Sequence, residues 1–243
     1  MSKRVLVTGS SGRIGRAVVA ELLKRGHGVR GFDRTPHPGL ADQVVGSLTD
    51  SAALDRAMAG IETLIHLAAT PDDDDFFTQL VPNNVIGVHN ALESARQAGV
   101  KRLVLASSGQ VVWYDRLRAT EPLGVDVQPT PRYWYAACKM FLEAAGRAFA
   151  EKFGQEVLAI RLGWCPRDKG QEAEIASTDW AQDVYLSPPD AGRFFACCVE
   201  APSSFSFAVL YATSRPVHWS RYDLEPARTL VGFEPRERWP EGL

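Results

Sequence analysis

Three glycines separate a short apolar run from a segment of helical periodicity, and no other feature restricts the fold as strongly. The run is Arg4-Val5-Leu6-Val7-Thr8, the glycines are Gly9, Gly12 and Gly15, and the periodic residues are Ile14, Ala17, Val18 and Leu22. A run apolar at successive positions reads as a strand buried on both faces, as in a parallel sheet. Glycines after such a strand permit a tight turn into a helix and let the backbone approach a bound group. The helix N-terminus then offers free N–H groups and its positive dipole end to an anion such as a pyrophosphate. Ser11, Arg13 and Ile14 lie in the same turn and are assigned to the same site. Asp33, 18 residues after Gly15, closes a second apolar run over 29–32. A carboxylate there can accept from both ribose hydroxyls of NAD and repels the 2′-phosphate of NADP. NAD is therefore the expected cofactor, with some tolerance of NADP left by Arg34.

The alternation of strand and helix continues. Short runs at 44–45, 63–68, 102–106 and 157–162 read as strands, and 205–211 is strand-like. Between them, helices are expected where Asp50-Ser51 can cap Leu54, Ala57 and Met58, over 76–98 stopped by Gly99, over 134–153 ended by Gly154, over 190–200, and over 224–231 with Pro226 in its first turn. Residues 109–132 carry three prolines and little periodicity, and read as loop. This order predicts an α/β fold, a doubly wound parallel sheet of Rossmann type. Residues 1–160 form the NAD-binding part, and 161–243 a small substrate-facing lobe interleaved with the same core.

Composition excludes several other roles. A net charge of -2 over 243 residues provides no basic field for nucleic acid or anionic membrane. No stretch approaches the ~18 apolar residues of a membrane span. Met1-Ser2-Lys3-Arg4 leads straight into the first strand without a signal peptide, and Cys138, Cys165, Cys197 and Cys198 form no CxxC pair. Reduced thiols and a cytoplasmic location are expected. The five histidines lack ligand-like spacing, so no metal site is expected. The run Asp72-Asp73-Asp74-Asp75 reads first as a solvated loop, and second as an acidic rim near a binding site.

Tyr135-Ala136-Ala137-Cys138-Lys139 places a phenol and an ammonium four residues apart, on one helical face. A free tyrosine, with a pKa near 10, is a poor base at neutral pH. A neighbouring ammonium and an oxidised nicotinamide both favour the phenolate. Ser107-Ser108 ends the fifth strand, where a hydroxyl can orient an alcohol or polarise a carbonyl.

Together, VLVTGSSGRIG (5–15), Asp33, LIHLAAT (64–70), the segment 83–108, YAACK (135–139) and RLGWCP (161–166) resemble the extended short-chain dehydrogenase/reductase family, also called the NAD-dependent epimerase/dehydratase family. Within it, the length and the segments FGQEVLAIRLGWC and ASTDWAQDV are most similar to uronate dehydrogenases. The resemblance implies Tyr135, Lys139 and Ser108 as catalytic residues. It places Ser47, Leu48, Leu67, Ala68, Ala69, Asn84, Ala106, Ser107, Leu162 and Cys165 on the cofactor, and Thr70, Ser108, Gly109, Gln110, Trp164 and Glu174 on the substrate. It also implies a homodimer or higher homo-oligomer through the helices at 76–98 and 133–153.

The departures concern the substrate. Ser108-Gly109-Gln110 stands where uronate dehydrogenases read Ser-Asn-His, Trp164 stands for their serine, and Glu174 aligns with their substrate-carboxylate arginine. A carboxylate in place of a guanidinium reverses the attraction for an anion. Ser47 stands where many relatives have an aspartate near adenine. A smaller, more apolar pocket and a less anionic substrate are expected, with Trp113, Trp134 and Trp180 near Trp164, and with Arg167 or Lys169 as substitute cations. The expected activity is hydride transfer between NAD and a small sugar, sugar acid or polyol-like alcohol or carbonyl. The alternatives are an epimerase or dehydratase that recycles NAD, and a non-catalytic dinucleotide-sensing regulator on the same fold.

Overall fold

The computed structural model describes residues 2–243. Its first half alternates β1 (Arg4–Thr8), α1 (Arg13–Lys24), β2 (Gly28–Asp33), β3 (Gln43–Val45), α2 (Ser51–Met58) and β4 (Thr63–His66). A helix then runs through Phe76–Ile86 into α3 (Gly87–Gln97) and leads to β5 (Arg102–Ser108). After α4 (Trp113–Arg118) come α5 (Trp134–Phe153), β6 (Glu156–Leu162), α6 (Lys169–Ala176), α7 (Asp179–Asp183), α8 (Pro188–Glu200), β7 (Phe207–Ala212) and α9 (Glu225–Val231). Among the described residues, seven strands form one sheet in the order β3-β2-β1-β4-β5-β6-β7, and every pairing is parallel.

The two-residue period of the strands sorts the core into two layers. Val5 and Val7 of β1 join Val104, Leu158, Ile160 and Leu210 against Val18 and Leu22 of α1 and Phe194, Phe195 and Val199 of α8. Leu6 and Leu64, Leu103 and Leu105 point to the other face, against Leu54 and Met58 of α2, Val88 and Leu92 of α3 and Leu142 of α5. Burying apolar side chains on both faces is what makes the strands read as unbroken apolar runs. β7 and α8 belong to this sheet and this core, so the C-terminal part of the chain completes the nucleotide-binding half. Two smaller clusters, around Val184, Tyr211 and Tyr222 and around Ile175 and Tyr185, carry the residues that rise above the sheet.

The structure corrects two local expectations and adds two short helices. The helix over 76–98 is wound as a π-helix through Phe76–Ile86, where Pro82 removes an N–H and Gly87 donates to the Pro82 carbonyl five residues back. Residues 109–132 are not all loop, since Trp113–Arg118 forms a turn and a half of helix. Lys169–Ala176 and Asp179–Asp183 are helices capped or led by Asp168 and Thr178. Their alternation is too short to show a period. Among the described residues, no helix is long and apolar enough to cross a membrane.

Candidate active site

The chain leaves β1 toward β2 on one side and returns to β4 on the other. A crevice opens at the C-terminal edge where the strand order reverses. A cavity of about 600 Å³ follows that edge from Gly9, Gly12 and Asp33 past Leu67, Ala68 and Ala69 to Ser108 and Tyr135, and on to Trp164 and Arg116.

Backbone makes the first half. Gly9 has φ 72° and donates its N–H to the Phe32 carbonyl at 2.8 Å. A Cβ on Gly9 would lie 2.8 Å from the Ala68 nitrogen, and one on Gly15 would lie 2.0 Å from the Gly9 carbonyl oxygen. Any side chain at either position would force the turn off β4 or off α1. No side chain caps α1, so its first N–H groups remain available for a ligand. Beside them, Arg13 lines the cavity with its Nε buried and unpartnered. Asp33 Oδ2 accepts from the Ser11 N–H at 3.0 Å and Oδ1 from the Thr35 N–H at 3.2 Å, which fixes the carboxylate at the cavity wall. A cradle closed to any Cβ, an orphaned guanidinium donor and a fixed carboxylate at the end of β2 fit the pyrophosphate and ribose of NAD.

Gly9, Ser11, Gly12, Arg13, Ile14, Gly15, Asp33, Leu48, Leu67, Ala68, Ala69, Ala106, Ser107, Leu162 and Cys165 all line the cavity. Ser47 does not: its hydroxyl pairs with Thr49 Oγ1 at 2.9 Å, and Gly46 and Leu48 form the wall on either side of it. Asn84 is buried behind the wall. Its amide holds the backbone of Thr70, accepting from Thr70 N at 2.7 Å and donating to Thr70 O at 3.0 Å. Neither Thr70 nor Asn84 reaches the cavity, whereas Asn83, absent from the sequence reading, does.

The chemical centre is assembled from β5 and α5. Lys139 is buried and donates to the Ala106 carbonyl at 2.7 Å, with its Nζ 5.5 Å from the Tyr135 ring centroid. Burial lowers the Lys139 pKa to about 8. Burial pushes Tyr135 up to about 12, against a hydrogen bond from Ser108. The Ser108 oxygen also accepts from the Gln110 N–H at 3.1 Å, which sets its orientation. Ser107 serves differently: its hydroxyl donates to Glu143 at 2.5 Å, and Glu143 takes two bonds from Arg161 at 3.0 Å. Behind them His66 is held neutral, its pKa lowered to about 3 by burial and by Lys139, with Nδ1 2.9 Å from Thr8 Oγ1.

The acidic run is a solvated loop, the first of its two readings, and through Asp72 it also reaches the rim of the cavity, the second. Asp73 accepts from the Tyr135 N–H at 3.1 Å and so caps the helix that carries Tyr135, while Asp75 caps the next helix back through the Thr78 N–H. Asp72 lines the cavity and takes Gln110 Nε2 at 3.3 Å and Arg167 at 3.2 Å. Of the expected substitute cations, Arg167 is therefore in place but already paired. Lys169 is exposed and pairs with Glu172 at 2.7 Å, outside the cavity.

Trp164, Gln110 and Glu174 line the substrate end, joined by Trp113, as expected, and by Gln171, Arg116, Arg132 and Tyr133, which the sequence reading did not assign. Trp164 stacks on Trp180 at 5.9 Å and donates to Gln171 at 3.4 Å. Trp134 turns outward against Phe76. Gly109 is not a wall residue: a Cβ there would lie 2.5 Å from the Tyr222 hydroxyl, so the tyrosine fills the space a side chain at 109 would need.

Comparison with known proteins agrees with this geometry. Residues 5–164 match the model of the NAD dependent epimerase/dehydratase family. An L-arabinose 1-dehydrogenase (NAD(P)(+)) of Haloferax volcanii is 32% identical over 96% of both chains. A uronate dehydrogenase of Agrobacterium fabrum is 33% identical over 76% of this chain and 69% of its own. The crystal structure of a variant uronate dehydrogenase from Agrobacterium tumefaciens complexed with NAD superposes with a TM-score of 0.83 at 27% identity, covering 98% of this chain and 86% of that one. With strand order, glycine turn and family model all in agreement, the chain belongs to the NAD dependent epimerase/dehydratase family.

Proposed function

We propose that this protein is an NAD-dependent dehydrogenase that oxidises a hydroxyl-bearing carbon of a small sugar or sugar derivative. The observation that carries the reading is the meeting of Tyr135, Lys139 and Ser108 at the edge of a crevice whose other half is built for a dinucleotide. Ser108 and Tyr135 hold the substrate hydroxyl between them, and Tyr135 takes its proton. When bound, NAD supplies the hydride acceptor and a positive charge beside the phenol.

That second charge is needed. In the cofactor-free site Lys139 loses its proton near 8, long before Tyr135 ionises near 12, so the two do not assist one another. Bringing a phenol from about 12 to neutrality requires roughly 7 kcal/mol at 1.36 kcal/mol per pKa unit. One unit charge roughly 5 Å away supplies about 3 kcal/mol at an effective dielectric of about 20. A positive charge brought by the cofactor would add to that of Lys139 in the direction of the phenolate.

The neutral sugar L-arabinose and the uronate named for the two relatives bracket the substrate class. Purified protein with NAD and a panel of aldoses, uronates and polyols should accumulate NADH on at least one of them. No gain in nicotinamide absorbance on any would overturn the reading, and sugar conversion without net NADH would favour an epimerase instead. Self-association through the helices at 76–98 and 134–153 is part of the proposal, supported by Phe77, Trp134 and Phe141, which these helices leave exposed.

A further inference from the structure

Arg116 is 4% exposed, yet among the described residues no carboxylate lies within salt-bridge distance of it. A guanidinium stays protonated in any protein setting, so this is a fixed buried charge. Two tryptophan rings, edge to face with each other, lie against it, Trp113 at 3.8 Å and Trp180 at 4.5 Å. Aromatic faces attract the cation but accept none of its in-plane N–H donors. Of those five donors, only Nη1 has a partner, the Tyr222 hydroxyl at 3.5 Å, the long limit of a hydrogen bond, and Nε is buried with none.

The charged surroundings sharpen the point. Arg132 stacks on the same Trp113 at 4.2 Å and has no carboxylate partner of its own. Arg221 is also close, but Asp183 neutralises it at 3.3 Å. Asp115, next in sequence, is taken by Thr130, and Asp72 by Arg167 and Gln110. Glu174 lines the same cavity without pairing with either free arginine. Burial lowers the Arg116 pKa, Tyr222 opposes the shift, and Arg132 and Arg221 add to it, in keeping with a charge that has no anionic partner within reach. Breaking a buried charge from its partner is among the costlier changes in a protein.

We infer that Arg116, with Arg132 beside it, receives an oxyanion carried by the substrate, a carboxylate or a phosphate remote from the oxidised carbon. This rests on the sugar-dehydrogenase reading above and narrows its substrate to a sugar acid or sugar phosphate. It reverses the expectation of a less anionic substrate drawn from Glu174, because the lost cation returns from a different element. Arg116 sits on α4, between β5 and α5, and is joined to the chemical centre through Tyr222, which abuts Gly109 next to Ser108.

Calorimetric titration of the NAD-loaded protein with glucuronate, glucose 6-phosphate and arabinose tests it, alongside NADH formation on each. At least one of the two anions should bind about tenfold or more tightly than arabinose, the scale expected when a buried charge finds its partner. Preference for glucuronate alone assigns a carboxylate, and preference for glucose 6-phosphate alone a phosphate. Arg116→Gln should bring the anion-to-arabinose ratio near one, Arg116→Lys should restore part of it, and Arg132→Gln should lower it by less. NAD affinity reports that each variant is folded. Equal or tighter binding of arabinose by the wild-type protein overturns the inference, and NADH formed from arabinose in that case leaves the dehydrogenase reading standing. An unchanged ratio in a folded Arg116→Gln variant also overturns it, and so does an absence of binding by all three sugars.

Discussion

The two halves of the crevice are built from different material. The cofactor half is made of backbone: the Gly9–Gly15 turn, the free N-terminus of α1 and the ends of β2 and β4. The substrate half is made of side chains, Trp113, Arg116, Arg132, Trp164, Gln171 and Glu174, which come from segments far apart in the sequence. Backbone sites tolerate no insertion at their contact points, whereas side-chain sites can exchange one group for another. The comparison teaches that this chain should be rigid in what cofactor it takes and specific to itself in what substrate it takes.

The sharpest way to break the comparison is at Gly15. A methyl there would stand 2.0 Å from the Gly9 carbonyl, with no flexible atom to yield. Gly15→Ala should abolish NAD binding and destabilise the fold at the upper end of the ~1–3 kcal/mol typical of overpacking. The loss would be read as a missing NAD-induced rise in Tm. A variant that binds NAD normally would show that the turn is not what holds it.

Tyr135→Phe separates the halves functionally. It removes one hydroxyl from the chemical centre and leaves the glycine turn untouched. Turnover should fall by roughly 10²–10⁴-fold, the usual contribution of a positioned acid or base, with NAD affinity kept. Retained turnover would remove Tyr135 from its assigned role.

The same centre predicts a pH signature. Lys139 has a folded pKa near 8, below its unfolded value of 10.5, so the unfolded chain binds more protons between the two. Stability contributed at this site therefore rises as pH climbs from about 8 toward 10.5. In the cofactor-free protein, chemical unfolding should show a gain of about 3 kcal/mol across that window relative to Lys139→Met. Tyr135 runs the opposite way. With its folded pKa near 12 above the unfolded 10, its contribution is lost above pH 10. Ultraviolet titration of the cofactor-free protein should find three late tyrosinates, since burial also raises Tyr185 and Tyr211, and comparison with Tyr135→Phe should identify the one near pH 12 that the variant lacks as the Tyr135 tyrosinate. Its appearance at neutral pH without cofactor would contradict the need for a second charge.

The contrast in material also explains what could be read from the residues in order. Gly9, Gly12, Gly15 and Asp33 act within a single β-α-β unit, so their spacing carries their meaning, and Tyr135 and Lys139 share one helix face. The sheet followed from runs such as Val5–Val7 and Leu103–Leu105, whose burial on both faces leaves a local mark. Arg116 left none. It lies in a helix of six residues inside a proline-containing stretch, and its significance is the absence of a partner, which only the packed molecule defines. Asp73 was legible as a charge but not as a cap, because the helix it caps begins about sixty residues later. Ser47 and Asn84 were placed by resemblance, and local pairing with Thr49 and Thr70 decides where their side chains go.

The smallest expected effect lies at Gly109, where the halves meet. Here the Tyr222 hydroxyl occupies the space that a side chain at this position would need, stacked through its ring on Tyr211 at 4.3 Å. If the two positions are complementary, they must be changed together. Gly109→Ala alone should cost about 1–3 kcal/mol, since the new methyl meets the hydroxyl of a ring that cannot swing away. Tyr222→Phe removes that hydroxyl, and the double variant should recover on the order of 1 kcal/mol relative to the sum of the single changes. Thermal unfolding of the four proteins measures the coupling. Strict additivity would mean that Gly109 is small for a reason other than Tyr222, and the substrate half would then owe less to its own side chains than the comparison holds. A clear coupling would tie Gly109, next to Ser108, to the same aromatic wall that supports Arg116.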